Sequence, residues 1–220
     1  MARRTYDQHC ALAHGLDVLG ERWTLLVIRE LLLGPQRFSD LESSLAGIGP
    51  NTLAARLRQM ESDGLIEKRR LPPPAPATVY VLTDRGAALE PAIIELGRWG
   101  RQRLPATIGH EAFRPGWLLM ALKVSFDPAH AADVDAVYEL TVSDEPFTVR
   151  IRGGSIEVRR GNTPDADAAI CTDQDTLLAL ANGTLSPGEA IKRGDVRIEG
   201  DKQAARAWFR AFTVVHPTAR

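Results

Sequence analysis

The sequence is poor in the residues that build covalent or metal-held scaffolds. Only Cys10 and Cys171 carry thiols, far apart in the chain. That argues against the disulfide framework of a small secreted domain and against a Cys-rich zinc site. The five histidines, His9, His14, His110, His130 and His216, show no metal-ligand spacing; His9 and His14, five apart, fall off one helical face. No metal and no cofactor is expected. No apolar run reaches the roughly 18 residues that suggest a membrane-spanning helix. The basic start, residues 1–6, leads into Asp7 and His9 rather than into the apolar stretch of a signal peptide. A cytoplasmic chain with no membrane partner is the expectation. Net charge is only −1, so no bulk field announces nucleic acid. Basic residues slightly outnumber acidic ones up to Pro105, and the reverse holds beyond it. No nucleophile–base pairing and no phosphate-binding glycine loop is recognisable. Asp165, Asp167, Asp173 and Asp175 cluster, but helix caps and loop solvation explain them. The chain is read as a non-enzyme. There is no internal repeat and no low-complexity tract.

What is present is enough apolar material, 44% of 220 residues, for one large core or two small ones. Leu12, Leu16 and Leu19 recur at helical spacing across residues 9–20. Residues 22–33 are hydrophobic almost all round, which predicts a buried central helix, ended by Gly34 and Pro35. Ser39, followed three residues later by Glu42, fits a capping box. Pro50 suits the first position of a helix that runs to about Asp63 and stops at Gly64. Residues 65–70 and 78–82 read as two strands around a proline-rich tip that cannot enter a sheet. A helix from Thr83 to about Arg103 contains Pro91, which predicts a kink or break near residue 90. Beyond a linker, residues 117–122 are apolar and helical. Strands are expected at 137–142, 147–151, 155–159, 168–171 and 196–198, separated at hairpin distances by residues 143–146 and Gly153-Gly154. Asp173, Ser186 and Asp201 each open a helix.

Helix, helix, turn, helix, β-ribbon, helix within the first 105 residues is a winged helix-turn-helix order. In the helix at 50–63, Leu53, Leu57 and Met60 form one anchoring stripe. Asn51, Thr52, Ala55, Arg58, Gln59 and Ser62 lie opposite, with Arg56 on a flank. An α-helix fits the major groove, and Arg, Gln and Asn read base edges there in bidentate fashion. Ala55 leaves room for close approach or a thymine methyl, and Asn51, Thr52 and Ala55 should lie deepest. Arg37 and Ser39, at the start of the preceding helix, are placed for phosphate. Lys68, Arg69 and Arg70 run into the ribbon tip, where backbone phosphate would be met. Each feature alone also fits a solvated face or a charged strand edge; their order together favours double-stranded DNA as the partner.

Cys10, residues 16–26 (LDVLGERWTLL), 34–41 (GPQRFSDL), 53–57 (LAARL), 63–66 (DGLI) and 80–86 (YVLTDRG) resemble the HxlR-type winged helix-turn-helix regulators over about residues 9–104. The resemblance implies a homodimer on a pseudo-palindromic operator, with the first helix and the one after the wing building the dimer. Gly97, Trp99 and Gly100 would suit such close contact, although Trp99 equally suits intramolecular core. Two departures stand out. Ala11 follows the cysteine where the family commonly has proline, and the wing tip, residues 72–77, lacks the arginine often found before the return strand. Minor-groove insertion is therefore not implied, while phosphate contact from residues 68–70 stays open. Cys10 matches a cysteine that some members use to sense oxidants or electrophiles. It could equally be inert, since only a lowered pKa makes a thiol reactive.

Residues 138–142 (YELTV), 147–151 (FTVRI), Gly161, 167–170 (DAAI), 177–183 (LLALANG), 186–191 (SPGEAI) and 196–201 (VRIEGD) resemble sterol-carrier-type lipid-binding domains over about 116–214. The resemblance implies an α+β fold with an apolar tunnel for a hydrophobic small molecule. Leu177, Leu180, Leu185, Ile191, Trp208, Phe209 and Phe212 are candidate wall residues; the same residues could simply fill a core. The expected architecture is α+β. A DNA-binding and dimerisation domain spans 1–105, a linker 106–115, and a sterol-carrier-like domain with a mostly antiparallel sheet 116–220. The expected function is a transcriptional regulator controlled by a hydrophobic ligand. The alternative is a lipid carrier whose winged helix serves assembly.

Overall fold

The computed structural model describes residues 5–72, 76–101, 115–181 and 183–212. The wing tip at 73–75, nearly all of the anticipated linker at 106–115, and Asn182 lie outside the described residues. Internal contacts divide the chain into two units, Met1–Ile93 and Ile94–Arg220. The division falls inside a helix.

The first unit begins with α1 (Ala11–Leu19), α2 (Thr24–Leu31), α3 (Phe38–Ser44) and α4 (Pro50–Ser62). A two-stranded antiparallel ribbon follows, β1 (Ile66–Arg70) and β2 (Thr78–Leu82), with Ile66 opposite Leu82 and Arg70 opposite Thr78. Its core joins Val27 and Ile28 of α2 to Leu41, Leu53, Leu57, Met60 and Ile66, all essentially without solvent contact. This is the expected burial of α2, although Leu26 stays exposed. In α1 Leu12 is 70% exposed and Leu16 is exposed, and only Ala13 is buried. Leu19, at the end of that stripe, is half-buried against the core of this unit.

Helix starts follow local chemistry, with one correction. The box at α3 is closed by Asp40, whose carboxylate accepts the Arg37 backbone N–H at 3.0 Å; Glu42 does not take that role. Helix α4 starts on Pro50 and ends before Gly64, whose φ of 69° is left-handed. The break expected from Pro91 occurs at residues 88–89, between α5 (Asp84–Ala87) and α6 (Glu90–Arg101). Proline then occupies the first turn of α6, where its missing N–H costs nothing.

In the second unit α7 (Pro115–Ser125) precedes β3 (Asp135–Val142), β4 (Glu145–Arg152), β5 (Ser155–Arg160) and β6 (Ala168–Thr172). Then come α8 (Gln174–Ala181), α9 (Pro187–Arg193), β7 (Val196–Gly200) and α10 (Lys202–Arg210). The sheet order is β5-β4-β3-β6-β7. Only β3 and β6 are parallel, so the sheet is mixed and mostly antiparallel. Ser143-Asp144 and Gly153-Gly154 all have positive φ, as two-residue hairpin turns require. Asp173, Ser186 and Asp201 accept backbone N–H groups at the starts of α8, α9 and α10. One sheet face buries Tyr138, Leu140, Phe147, Val149 and Ile170. On it Tyr138 donates its hydroxyl to the Ala204 carbonyl at 3.0 Å and stacks edge-on against Trp208, centroids 5.0 Å apart.

Candidate functional site

Leu53, Leu57 and Met60 point α4 inward, so its opposite side is turned out by packing alone. Asn51, Thr52, Ala55, Arg58, Gln59 and Ser62 are exposed there. Asn51, Arg58 and Gln59 among them are of the residue types able to bond base edges in a major groove. The Gln59 amide is already engaged, donating to Asp63 at 3.3 Å. Arg56, on the flank, is set differently. Its side chain is only 16% exposed and donates to Glu21 at 2.9 Å, with Nε buried and without a hydrogen-bond partner. It ties α4 to the turn after α1.

Arg37 and Ser39 are exposed at the start of α3. Asp40 occupies the helix N-terminus there, accepting from Arg37 N–H and from the Ser39 hydroxyl at 3.3 Å. A phosphate would have to displace that carboxylate. The wing behaves similarly. Lys68 donates to Glu61 at 2.8 Å and lies 5.7 Å from the Tyr80 ring. The bond to Glu61 holds its ammonium above the ordinary lysine range. Arg69 pairs with Glu67 at 2.8 Å, and Arg70 is exposed at the end of β1. The wing is anchored by Gln36, which exchanges backbone hydrogen bonds with Tyr80 at 3.1 and 2.7 Å.

The acidic partners Glu21, Asp40, Glu61, Asp63 and Glu67 were not singled out from the sequence. The signal was partly there: Glu67 and Arg69 alternate on one strand and therefore share a face. Glu21 and Arg56 are 35 residues apart and carry no such sign. Cys10 is exposed immediately before α1, and Arg3 and Arg4 lie outside the described residues. Gly97 packs within its own chain, since a Cβ there would stand 2.8 Å from the Val124 side chain. Trp99 is 61% exposed.

The second unit holds an apolar cavity of about 60 Å³ between α7, α8, the start of α9 and α10. Leu177, Leu180, Trp208, Phe209 and Phe212 line it, with Ala121, Leu122, Ser125, Ala181 and Pro187, which the sequence did not single out. Leu185 is buried away from it, and Ile191 is 45% exposed. The pocket is partly open, and its lining is almost wholly apolar, the character of a site for a hydrophobic guest.

Among the described residues no group of side chains could hold a metal, and no helix is long and apolar enough to cross a membrane. Residues 18–107 match the family model for the HxlR-like helix-turn-helix, and residues 121–213 that of the SCP-2 sterol transfer family. The HTH-type transcriptional regulator YvaP of Bacillus subtilis is 34% identical over 87 residues, 40% of this chain and 81% of that protein. The HTH-type transcriptional regulator YodB of the same organism is 34% identical over 86 residues, 39% of this chain and 77% of that protein. The solved reduced form of YodB is 29% identical and matches 46% of this chain and 100% of its own, with a TM-score of 0.39. The chain belongs to the HxlR-like helix-turn-helix family of transcriptional regulators, joined here to a domain of the SCP-2 sterol transfer type.

Proposed function

We propose that this regulator binds a pseudo-palindromic operator as a homodimer and answers to a hydrophobic small molecule held in its second unit. The outward face of α4 carries the reading: Asn51, Thr52, Ala55, Arg58 and Gln59 stand exposed behind a fully buried anchor. Arg58 and Gln59 supply bidentate donors for base edges, and Asn51, Thr52 and Ala55, at the first turns, approach the groove floor. Arg37, Ser39 and the wing cations Lys68, Arg69 and Arg70 contact phosphate. They position the helix without reading sequence.

The dimer reading rests on exposed apolar groups that a single chain leaves unused. Leu12 and Leu16 share one face of α1, and Leu96 and Trp99 stand out from α6. Large exposed apolar side chains in groups mark association surfaces. A ligand controls such a protein only by binding its DNA-competent and incompetent states unequally. Cys10, exposed immediately before α1, is the candidate for a thiol input.

Footprinting with the full chain tests the reading. Protection of a two-fold symmetric site supports it, and uniform protection or none overturns it. Operator affinity measured with and without a panel of lipids tests the ligand arm. Unchanged affinity across the panel overturns that arm alone.

A further inference from the structure

We propose that α10 is a second DNA contact of this chain: its outer stripe, Lys202, Arg206 and Arg210, docks on the phosphate backbone of a duplex without reading sequence. This goes beyond the operator face of α4 and rests on the chain being a DNA-binding regulator.

Lys202, Arg206 and Arg210 follow one another at every fourth residue and therefore share one side of α10. All three are exposed, while Ala204, Ala207 and Trp208 on the opposite side are buried. The stripe spans about 12 Å, over which one strand of B-form DNA presents about three or four phosphates. These cations are available in a way that those of the wing are not. Lys68 and Arg69 are held by Glu61 and Glu67, each at 2.8 Å. Among the described residues Lys202 and Arg206 form no ion pair and no side-chain hydrogen bond. Arg210 lies 3.8 Å from Asp133 in a pair exposed on both sides, an arrangement that binds a cation only weakly in water. The carboxylate nearest in sequence, Asp201, accepts the Ala204 backbone N–H at 2.7 Å. Lys202 moreover opens the helix, where the macrodipole disfavours a cation. The folding of α10 therefore gives no reason for a positive charge at that position.

The class of partner follows from what α10 has left to offer. Its apolar side is already packed in the core of the second unit. A basic amphipathic helix that binds a bilayer needs that side for the acyl boundary. A rod of regularly spaced phosphates needs only the cations, and Arg and Lys contacts to phosphate fix position without carrying sequence information.

The competing role is a solvated face that adds only to the overall field of the chain. Fluorescence anisotropy of the full chain on a random-sequence duplex, between about 50 and 200 mM salt, separates the two. The double variant Lys202→Gln with Arg206→Gln is compared with Arg150→Gln with Arg197→Gln. Both remove two exposed positive charges from the second unit, the latter from β4 and β7. The α10 variant should lower the slope of log K against log salt by up to about 1.8, so its affinity should fall over that range by a factor of about 12 less than that of the wild type. The sheet variant should keep nearly the wild-type slope, as should Lys202→Arg with Arg206→Lys, which preserves the charge. Equal changes from the α10 and sheet variants, or no change from either, overturn this inference and leave the α4 face standing. Lost binding to phosphatidylserine vesicles with an unchanged DNA slope overturns it in favour of a membrane surface. A wild type with no affinity for the duplex overturns both this inference and the operator reading.

Discussion

Glu61→Gln removes the carboxylate that holds the Lys68 ammonium at 2.8 Å on the proposed DNA face. A phosphate that Lys68 contacts must share its ammonium with Glu61, and that carboxylate repels the same phosphate. The pair therefore releases almost no counterion on binding. Each phosphate neutralised by a free cation adds about 0.9 to the slope of log K against log salt. In the variant Lys68 delivers a full contact, so the slope should steepen by up to about 0.9. Between about 50 and 200 mM salt that is an extra factor of about 3.5 in the binding constant. Fluorescence anisotropy of the full chain on a random-sequence duplex reads it directly. Lys68→Ala should change the slope little in the native background and should abolish the gain in the double variant, which isolates the coupling. If Lys68→Ala alone flattens the slope by the full amount while Glu61→Gln does nothing, the carboxylate does not hold the lysine in solution and the argument fails.

Arg58→Ala should cost about 1–3 kcal/mol of discrimination between operator and random DNA, whereas Arg56→Ala should lower the melting temperature and leave the discrimination ratio nearly unchanged. Competition binding and thermal unfolding tell them apart. Gly86→Ala places a Cβ 2.1 Å from the Leu65 carbonyl oxygen at the base of the wing, so a loss of about 1–3 kcal/mol or more is expected in denaturant unfolding. Tyr138→Phe forfeits the bond to Ala204, about 1 kcal/mol. Burial first, then the nearby Asp167, pushes the Tyr138 phenol up to about 12 from an ordinary 10.0. Between those values the folded chain keeps a proton that the unfolded chain has lost. The stability it contributes is complete below pH 10 and is lost as pH rises through about 12. Spectrophotometric titration should find one tyrosine ionising late, and Tyr138→Phe should abolish it.

Periodicity and punctuation carried most of the elements. The stripe of Leu53, Leu57 and Met60 aimed α4 correctly, Pro91 marked the break before α6, and all five strands of the second unit stand where β-branched runs stand. What local pattern could not supply was pairing at a distance. The parallel neighbours β3 and β6 are joined by the β4 and β5 crossover, and no residue in either strand announces the partner. At α3, Asp40 and Glu42 both lie near the start, and a shift of two residues in the cap, from Ser39 to Arg37, decides which carboxylate closes the box. Trp23 adopts a φ of 81° just before α2, a left-handed conformation that its side chain does not advertise. At the DNA face the cations were legible as a type and a position, but their engagement with Glu21, Glu61 and Glu67 was not. The cavity wall was legible as apolar helical spacing. Its volume was not, because that depends on how closely α7 and α10 approach.

Selection of bound duplexes from a random pool by the full chain tests the central claim most directly. The outward side of α4 predicts enrichment of two inverted half-sites about one helical turn apart, with the enrichment lost in Arg58→Ala and Gln59→Ala. Recovery of DNA with no shared sequence, or the same enrichment from both variants, would contradict it.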